Sequence, residues 1–162
     1  MTHERRGLSK RELHAWKTFF RMQEVLLGRI EQQLQSCSGL STADYTVLTV
    51  LSGAADGRLR AFHLGTLMGW EKSRLHHQLT RMAKRGLIER RSGEARAIYV
   101  TLTQQGREAL TEAAPQHSDH VRGLLIDCLR PEQLDQLADI SSIVLDNIQR
   151  QDDTADCCTD QR

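Results

Sequence analysis

The sequence predicts a mainly α-helical fold with one small β-hairpin, and three observations predict it. Long stretches with apolar residues at helical spacing occupy both ends of the chain, and short helical segments punctuated by glycine fill the middle. A single stretch near residue 98 switches to the alternation of a strand. At 162 residues the chain suits one compact domain with appended helices and is long enough to bury a core.

From Ser9 to about Ser36 the chain reads as one helix without proline. Leu13, Trp16, Phe20, Leu27, Ile30 and Leu34 form one stripe, and Phe19, Met22 and Leu26 form a second beside it. Two apolar faces call for two things to pack against, the chain's own body and a partner subunit. "SGLS" ends the pattern, and Ser41 or Thr42 caps a helix to Leu51 with Tyr45, Leu48 and Leu51 facing inward. "RLRAF" offers a very short strand, a helix follows from Ala61 to Met68, and Gly69 separates it from the next, "EKSRLHHQLTRMAKRG". Two short helices joined at a glycine make a helix-turn-helix.

After Gly86 the period changes: Ile98, Val100 and Leu102 alternate with Ala97, Tyr99 and Thr101, and Ser92 and Gly93 supply a turn. A hairpin directly behind a helix-turn-helix is a wing. Thr103 caps a helix running to about Cys128 with an irregularity near Pro115, and Pro131 starts the last one. There Leu134, Leu137, Ile140 or Ser141, Val144 and Ile148 share one face. The expected organisation is a winged helix-turn-helix (40–102) flanked by an N-terminal dimerisation helix (9–36) and C-terminal dimerisation helices (103–150), with a disordered acidic tail at 151–162. The expected dimer interface comprises Leu13, Trp16, Phe20, Leu134, Leu137, Val144 and Ile148.

The net charge of +1 hides a strong segregation. Residues 58–107 carry 11 Lys/Arg against 3 Asp/Glu, whereas residues 108–162 carry 4 against 12. A middle near +8 and an end near −8 point the middle of the chain at a polyanion. On the helix from residue 71, Leu75, Leu79 and Met82 fall in one narrow sector facing the core. Opposite lie Ser73, His77, Thr80 and Lys84, flanked by Arg74, Arg81 and His76, with no acid between Glu71 and Glu89. A merely solvated helix interleaves both signs, because opposite charges one turn apart stabilise it.

The same side chains suit DNA. Arg74 can pair with guanine O6 and N7, Gln78 or His77 with mixed base edges, and Ser73 or Thr80 with a base or phosphate. Lys84, Arg81, Arg90, Arg91 and Arg96 suit phosphate or minor-groove contact, and Arg60, Lys72 and His76 complete the candidate set.

"LSTADYTVLTVL", "HLGTLMGWEKSRLHHQLTRMAKRGLIERR" and "RAIYVTLTQQGREAL" together resemble the MarR family of bacterial winged-helix regulators, from about Leu40 to Leu110 with a helical frame on either side. The features matched are Arg81, Met82, Gly86 and Leu87, then Leu102, Thr103 and Gly106. The resemblance implies an obligate homodimer reading a pseudo-palindromic site in double-stranded DNA, usually as a repressor, with release by a small aromatic molecule, a metal or an oxidant. Two departures stand out. "SGEAR" is about two residues shorter than the usual wing and keeps only Arg96 of its arginines, and Trp70 and Glu71 stand where a Ser or Thr often caps the recognition helix.

Other residues carry competing readings. His76 and His77 diverge by about 100° on a helix and cannot easily share a metal. His117 and His120, one turn apart, make a better zinc pair, against exposed polar residues as the plainer alternative. Cys37 can be a redox sensor or an incidental thiol, and Trp16, Phe19 and Phe20 can line an effector pocket or simply pack a dimer core. No nucleophile motif, phosphate loop or cofactor motif is present, so no enzyme is expected. Four cysteines without metal or disulfide spacing, no apolar run near the roughly 20 residues that span a bilayer, and no apolar leader place the chain in the cytoplasm. A DNA-binding regulator is the leading reading. The alternatives are a winged-helix module whose basic face meets an acidic protein, or a zinc- or redox-sensing regulator of the same fold.

Overall fold

The structure, a computed structural model, describes residues 7–93 and 97–159, side chains of residues 152–159 excepted. Its elements are α1 (Lys10–Ser38), α2 (Thr42–Ser52), a 3-10 turn (Ala55–Gly57), β1 (Arg58–Arg60), α3 (Ala61–Met68), α4 (Lys72–Lys84), β2 (Ile88–Ser92), β3 (Ile98–Leu102), α5 (Gln104–Val121), a π-helical turn (Arg122–Ile126) and α6 (Pro131–Thr159). The chain divides into two compact units, one up to His120 and one from Val121 onward.

In the first unit, α1 and α2 both begin with reciprocal capping boxes. The Ser9 hydroxyl accepts from the Glu12 N–H while the Glu12 carboxylate accepts from the Ser9 N–H, and hydrogen bonding by the Ser9 side chain, then by its N–H, holds the Glu12 carboxyl below its usual range. Ser41 and Asp44 repeat the arrangement. The core gathers Leu34 and Leu40, then Val47, Leu48 and Leu51 of α2, Leu64 of α3, Leu75, Leu79 and Met82 of α4, and Leu87, Ile88, Val100 and Leu102 of the sheet. Burying thirteen such side chains on a scaffold of helices and sheet contributes about 1.5–3 kcal/mol each before entropy is counted.

The sheet is antiparallel in the order β1-β3-β2, with Arg60 opposite Tyr99 and Ser92 opposite Ile98. Two glycines set its position against the helices. Gly86 ends α4 at φ +75°, a left-handed conformation that costs glycine little, and turns the chain into β2. Gly106 sits so close to the residue that leads into β2 that a Cβ there would run into the Leu87 carbonyl oxygen. Between them the Thr103 hydroxyl donates to the Gly86 carbonyl and accepts from the Gly106 N–H, so the Leu-Thr-x-x-Gly run caps α5 and ties it to the end of α4.

In the second unit, Leu134 and Leu137 of α6 are half-buried, whereas Ile140, Ile143, Val144, Leu145 and Ile148 are exposed. On α1 the expected second face is likewise open, with Leu13, Trp16, Phe19, Phe20, Met22, Val25 and Leu27 exposed.

Three expectations need correction. Pro115 lies inside an unbroken α5, and the irregularity falls later, at the π turn around Gly123, where the Asp127 N–H reaches the Arg122 carbonyl five residues back. The helix α1 runs two residues past 36 and places Cys37 in its last turn, exposed. The tail expected to be disordered from 151 continues α6 to Thr159, since neither Pro nor Gly follows Pro131; residues 160–162 lie outside the described residues.

Candidate nucleic-acid interface

The helix α4 is amphipathic because its apolar residues recur every three or four positions. Leu75, Leu79 and Met82 are buried, and Lys72, Ser73, Arg74, His76, His77, Arg81 and Lys84 are exposed. Its N-cap, Glu71, makes no side-chain cap, so the first turn's N–H groups stay available to an anion. Arg74 lies over the Trp70 ring at 4.3 Å, a cation–π contact that holds its guanidinium against the start of the helix. The rings of His76 and His77 sit 5.8 Å apart at 76°, as expected of neighbours on different faces.

Gln78, expected to reach a base edge, is buried at 2% exposure and belongs to the core side. Its amide donates to Asp44 Oδ1 at 2.7 Å and its carbonyl accepts from Arg81. Asp44 explains the inversion: a buried carboxylate needs donors, and it takes them from the Ser41 N–H, from Gln78 and from Arg85 at 2.6 Å. Arg85 also donates to the Gly39 carbonyl. One acid at the start of α2 thus fixes the roll of α4, which decides what its outer face presents.

The remaining candidates divide by what their polar atoms already do. Thr80 donates to the His76 carbonyl and accepts from Arg90, whose other nitrogen lies 3.4 Å from His76 Nδ1. Arg90 is therefore drawn against α4 as a brace between helix and β2. Arg91 is held by Glu89 through two hydrogen bonds, an exposed pair that is easily exchanged for a phosphate. Arg60 donates Nε to the Tyr99 hydroxyl. Arg96 lies outside the described residues.

Trp16 and Phe20 approach to 5.6 Å between ring centroids on α1 and, with Phe19, are exposed. The His117 ring lies tilted against Tyr45 at 4.3 Å between centroids, and burial, with His120 nearby, holds its imidazole below its usual pKa; burial likewise raises Tyr45. His117 Nδ1 and His120 Nε2 are buried without a hydrogen-bond partner among the described residues. Among the described residues no three His, Cys, Asp or Glu side chains assemble where a metal could sit. Sequence reasoning passed over Asp44 and Arg85, and the contact of Trp70 with Arg74. The Ser-x-x-Asp spacing of a capping box is the signal that could have found Asp44, though it says nothing of its burial.

A helix-turn-helix of α3 and α4 backed by a three-stranded sheet defines a winged-helix protein with a cationic outer helix. No family sequence model matches the chain, and no curated protein sequence does. Solved structures do. AbsC, a MarR family transcriptional regulator from Streptomyces coelicolor, is 34% identical at a TM-score of 0.84, over 89% of this chain and 98% of that one. Sco3205, a MarR family regulator from the same organism in complex with DNA, is 31% identical at 0.85, over 88% and 91%. A MarR variant from E. coli bound to operator DNA shares the fold at 17% identity and a TM-score of 0.74, over 86% and 99%. The chain belongs to the MarR family of transcriptional regulators. Among the described residues no helix is long and apolar enough to cross a membrane.

Proposed function

We propose that the protein binds double-stranded DNA as a homodimer and represses transcription from a pseudo-palindromic operator, acting in the cytoplasm without catalysis. The observation that carries this reading is the outer face of α4: Lys72, Ser73, Arg74, His77 and Lys84 exposed together on a helix seated by three buried apolar residues. The DNA complex of Sco3205 supports it, and the open apolar faces of α1 and α6 support a second copy as the partner. Two symmetry-related helices would then read half-sites about one helical turn, roughly 34–36 Å, apart. The exposed aromatic group Trp16, Phe19 and Phe20 is where we place a small-molecule effector that releases DNA.

Selection of bound duplexes from a random pool supplies the operator, and variants then test the residue roles. Arg74→Ala or His77→Ala should reduce discrimination against mismatched sites by about 1–3 kcal/mol per position read. Lys84→Ala should weaken binding to all sequences and lower the slope of log affinity against log salt by about one unit. Affinity indifferent to salt and to all three substitutions would refute the reading.

A further inference from the structure

Trp70 stands in the turn between α3 and α4, and the backbone fixes its place. Gly69 takes a left-handed conformation at φ +60° after the end of α3, and the Trp70 N–H then donates to the Gly65 carbonyl at 3.0 Å. The side chain is half-buried and packs against the core cluster that holds Leu75. With Glu71 as the N-cap, Trp70 directly precedes the cap and Leu75 is the fourth residue of α4, which is the spacing of a hydrophobic staple. A staple explains an apolar residue here, but any large apolar side chain would serve.

The indole does something that an aliphatic side chain cannot. The guanidinium carbon of Arg74 lies 4.3 Å from the ring centroid. Arg74 is the third residue of α4, where a positive charge meets the positive end of the helix dipole and costs stability. No carboxylate pairs with it among the described residues, although Glu71 is only three positions away. What holds the guanidinium is the negative face of the indole, the strongest of the aromatic rings for a cation.

Being held by the face has a consequence for recognition. Arg81 donates to Gln78, Arg90 to Thr80 and Arg91 to Glu89, so each spends N–H groups on the protein. Arg74 spends none among the described residues. A stacked guanidinium keeps all its N–H donors, which lie in its plane and point outward from its edge. Reading guanine takes two of those donors, in one plane, on O6 and N7, and a side chain fixed beforehand loses less rotamer freedom on binding.

We infer that Trp70 is a positioning residue that determines specificity: its ring holds the Arg74 guanidinium with the N–H edge free, so that Arg74 enters the major groove already oriented for the O6 and N7 edge of one guanine. The inference rests on the DNA-binding reading above and deepens it at a single base pair.

The test uses the full chain and the operator duplex obtained by selection, with each base pair exchanged in turn and binding followed by fluorescence anisotropy. The base pair at which Arg74→Ala loses discrimination is the one that Arg74 reads. Trp70→Met, which fills apolar space without a ring face, should lower discrimination at that same base pair by about two- to fivefold, the worth of an exposed cation–π contact, and leave the other positions and the salt slope as in the parent. Trp70→Phe, which returns a weaker ring, should recover part of the loss, and Trp70→Met added to Arg74→Ala should change discrimination no further. A residue that is only a staple gives a different result: Trp70→Met then weakens binding to every duplex by one factor with discrimination kept, and that outcome overturns the inference. The stack is also read without DNA. The chain holds two tryptophans, and the emission of the free protein should shift in Arg74→Ala and stay as in the parent in Lys84→Ala, both positions being exposed. Unchanged emission in Arg74→Ala overturns the inference whether or not Trp70→Met folds. If the parent binds DNA and Lys84→Ala weakens it on all sequences while Arg74→Ala alters no base preference, the inference falls and the DNA reading stands. If the parent binds no duplex, both fall.

Discussion

Asp44 has wider structural consequences than any basic residue on the outer face of α4. It is 3% exposed, closes the capping box of α2, and accepts hydrogen bonds from Gln78 and Arg85 on and just after α4. Removing it would leave the Gln78 amide buried without its acceptor and would free the Arg85 guanidinium, which is half in solvent already. Asp44→Ala should cost about 1–3 kcal/mol, the penalty for an unmet buried donor, read as a lower midpoint in urea unfolding. DNA affinity should fall as well in protein that remains folded, because the roll of α4 loosens. A variant of unchanged stability would show that the pair is only a surface ion pair. Gln78 illustrates what the sequence alone could not supply. Its place on α4 borders the apolar sector, and only a buried acid 34 positions away makes that border an interior position.

At the scale of elements, the order of helices and strands was legible because each junction carries its own chemistry. Ser9 and Ser41 start helices, Gly69 and Gly86 end them, and Thr103 starts another, and all five act as caps or stops in the structure. The outer face of α4 was equally legible, since periodicity separates Leu75, Leu79 and Met82 from the cations. Pairings between elements were not: the Arg90–Thr80 brace, the stacking of Arg74 on Trp70 and the Arg60–Tyr99 hydrogen bond depend on register and on rotamers that spacing does not fix. The contact of α5 with the residue leading into β2 is a case in which a family motif acquires a cause. Gly106 admits the Leu87 carbonyl, so Gly106→Ala must push α5 off the sheet and should cost about 1–3 kcal/mol by overpacking. Thermal unfolding reads that loss. A substitution at exposed Gly123, where nothing lies within 4 Å of a new Cβ, is the matched control and should leave the midpoint far closer to the parent. Equal effects at the two positions would remove the steric account.

At the scale of the molecule, the two units share one property: each leaves a long apolar helix face in water. Leu13, Trp16 and Phe20 on α1, and Ile140, Val144 and Ile148 on α6, are all more than a third exposed. Scattered apolar exposure is ordinary, but exposure repeated every third or fourth residue along a helix is the pattern of a face awaiting a partner. The acidic charge of residues 108–162 disfavours contact of α6 with DNA, whereas the cationic charge of residues 58–107 favours it. Obligate homodimers bury about 2,000–5,000 Å² of mostly apolar surface, and two long helices per chain can supply faces of that kind. The chain should therefore run in light scattering at about twice its mass of 18.4 kDa. Val144→Asp combined with Ile148→Asp should shift it toward the single-chain mass and abolish tight binding to a palindromic duplex. Weak, salt-sensitive binding to mixed-sequence DNA should survive in any protein that stays folded, since α4 and the sheet belong to the first unit. A parent chain that sediments as a monomer at micromolar concentration and still binds a palindrome tightly would sink the dimer and, with it, the account of why these faces are apolar.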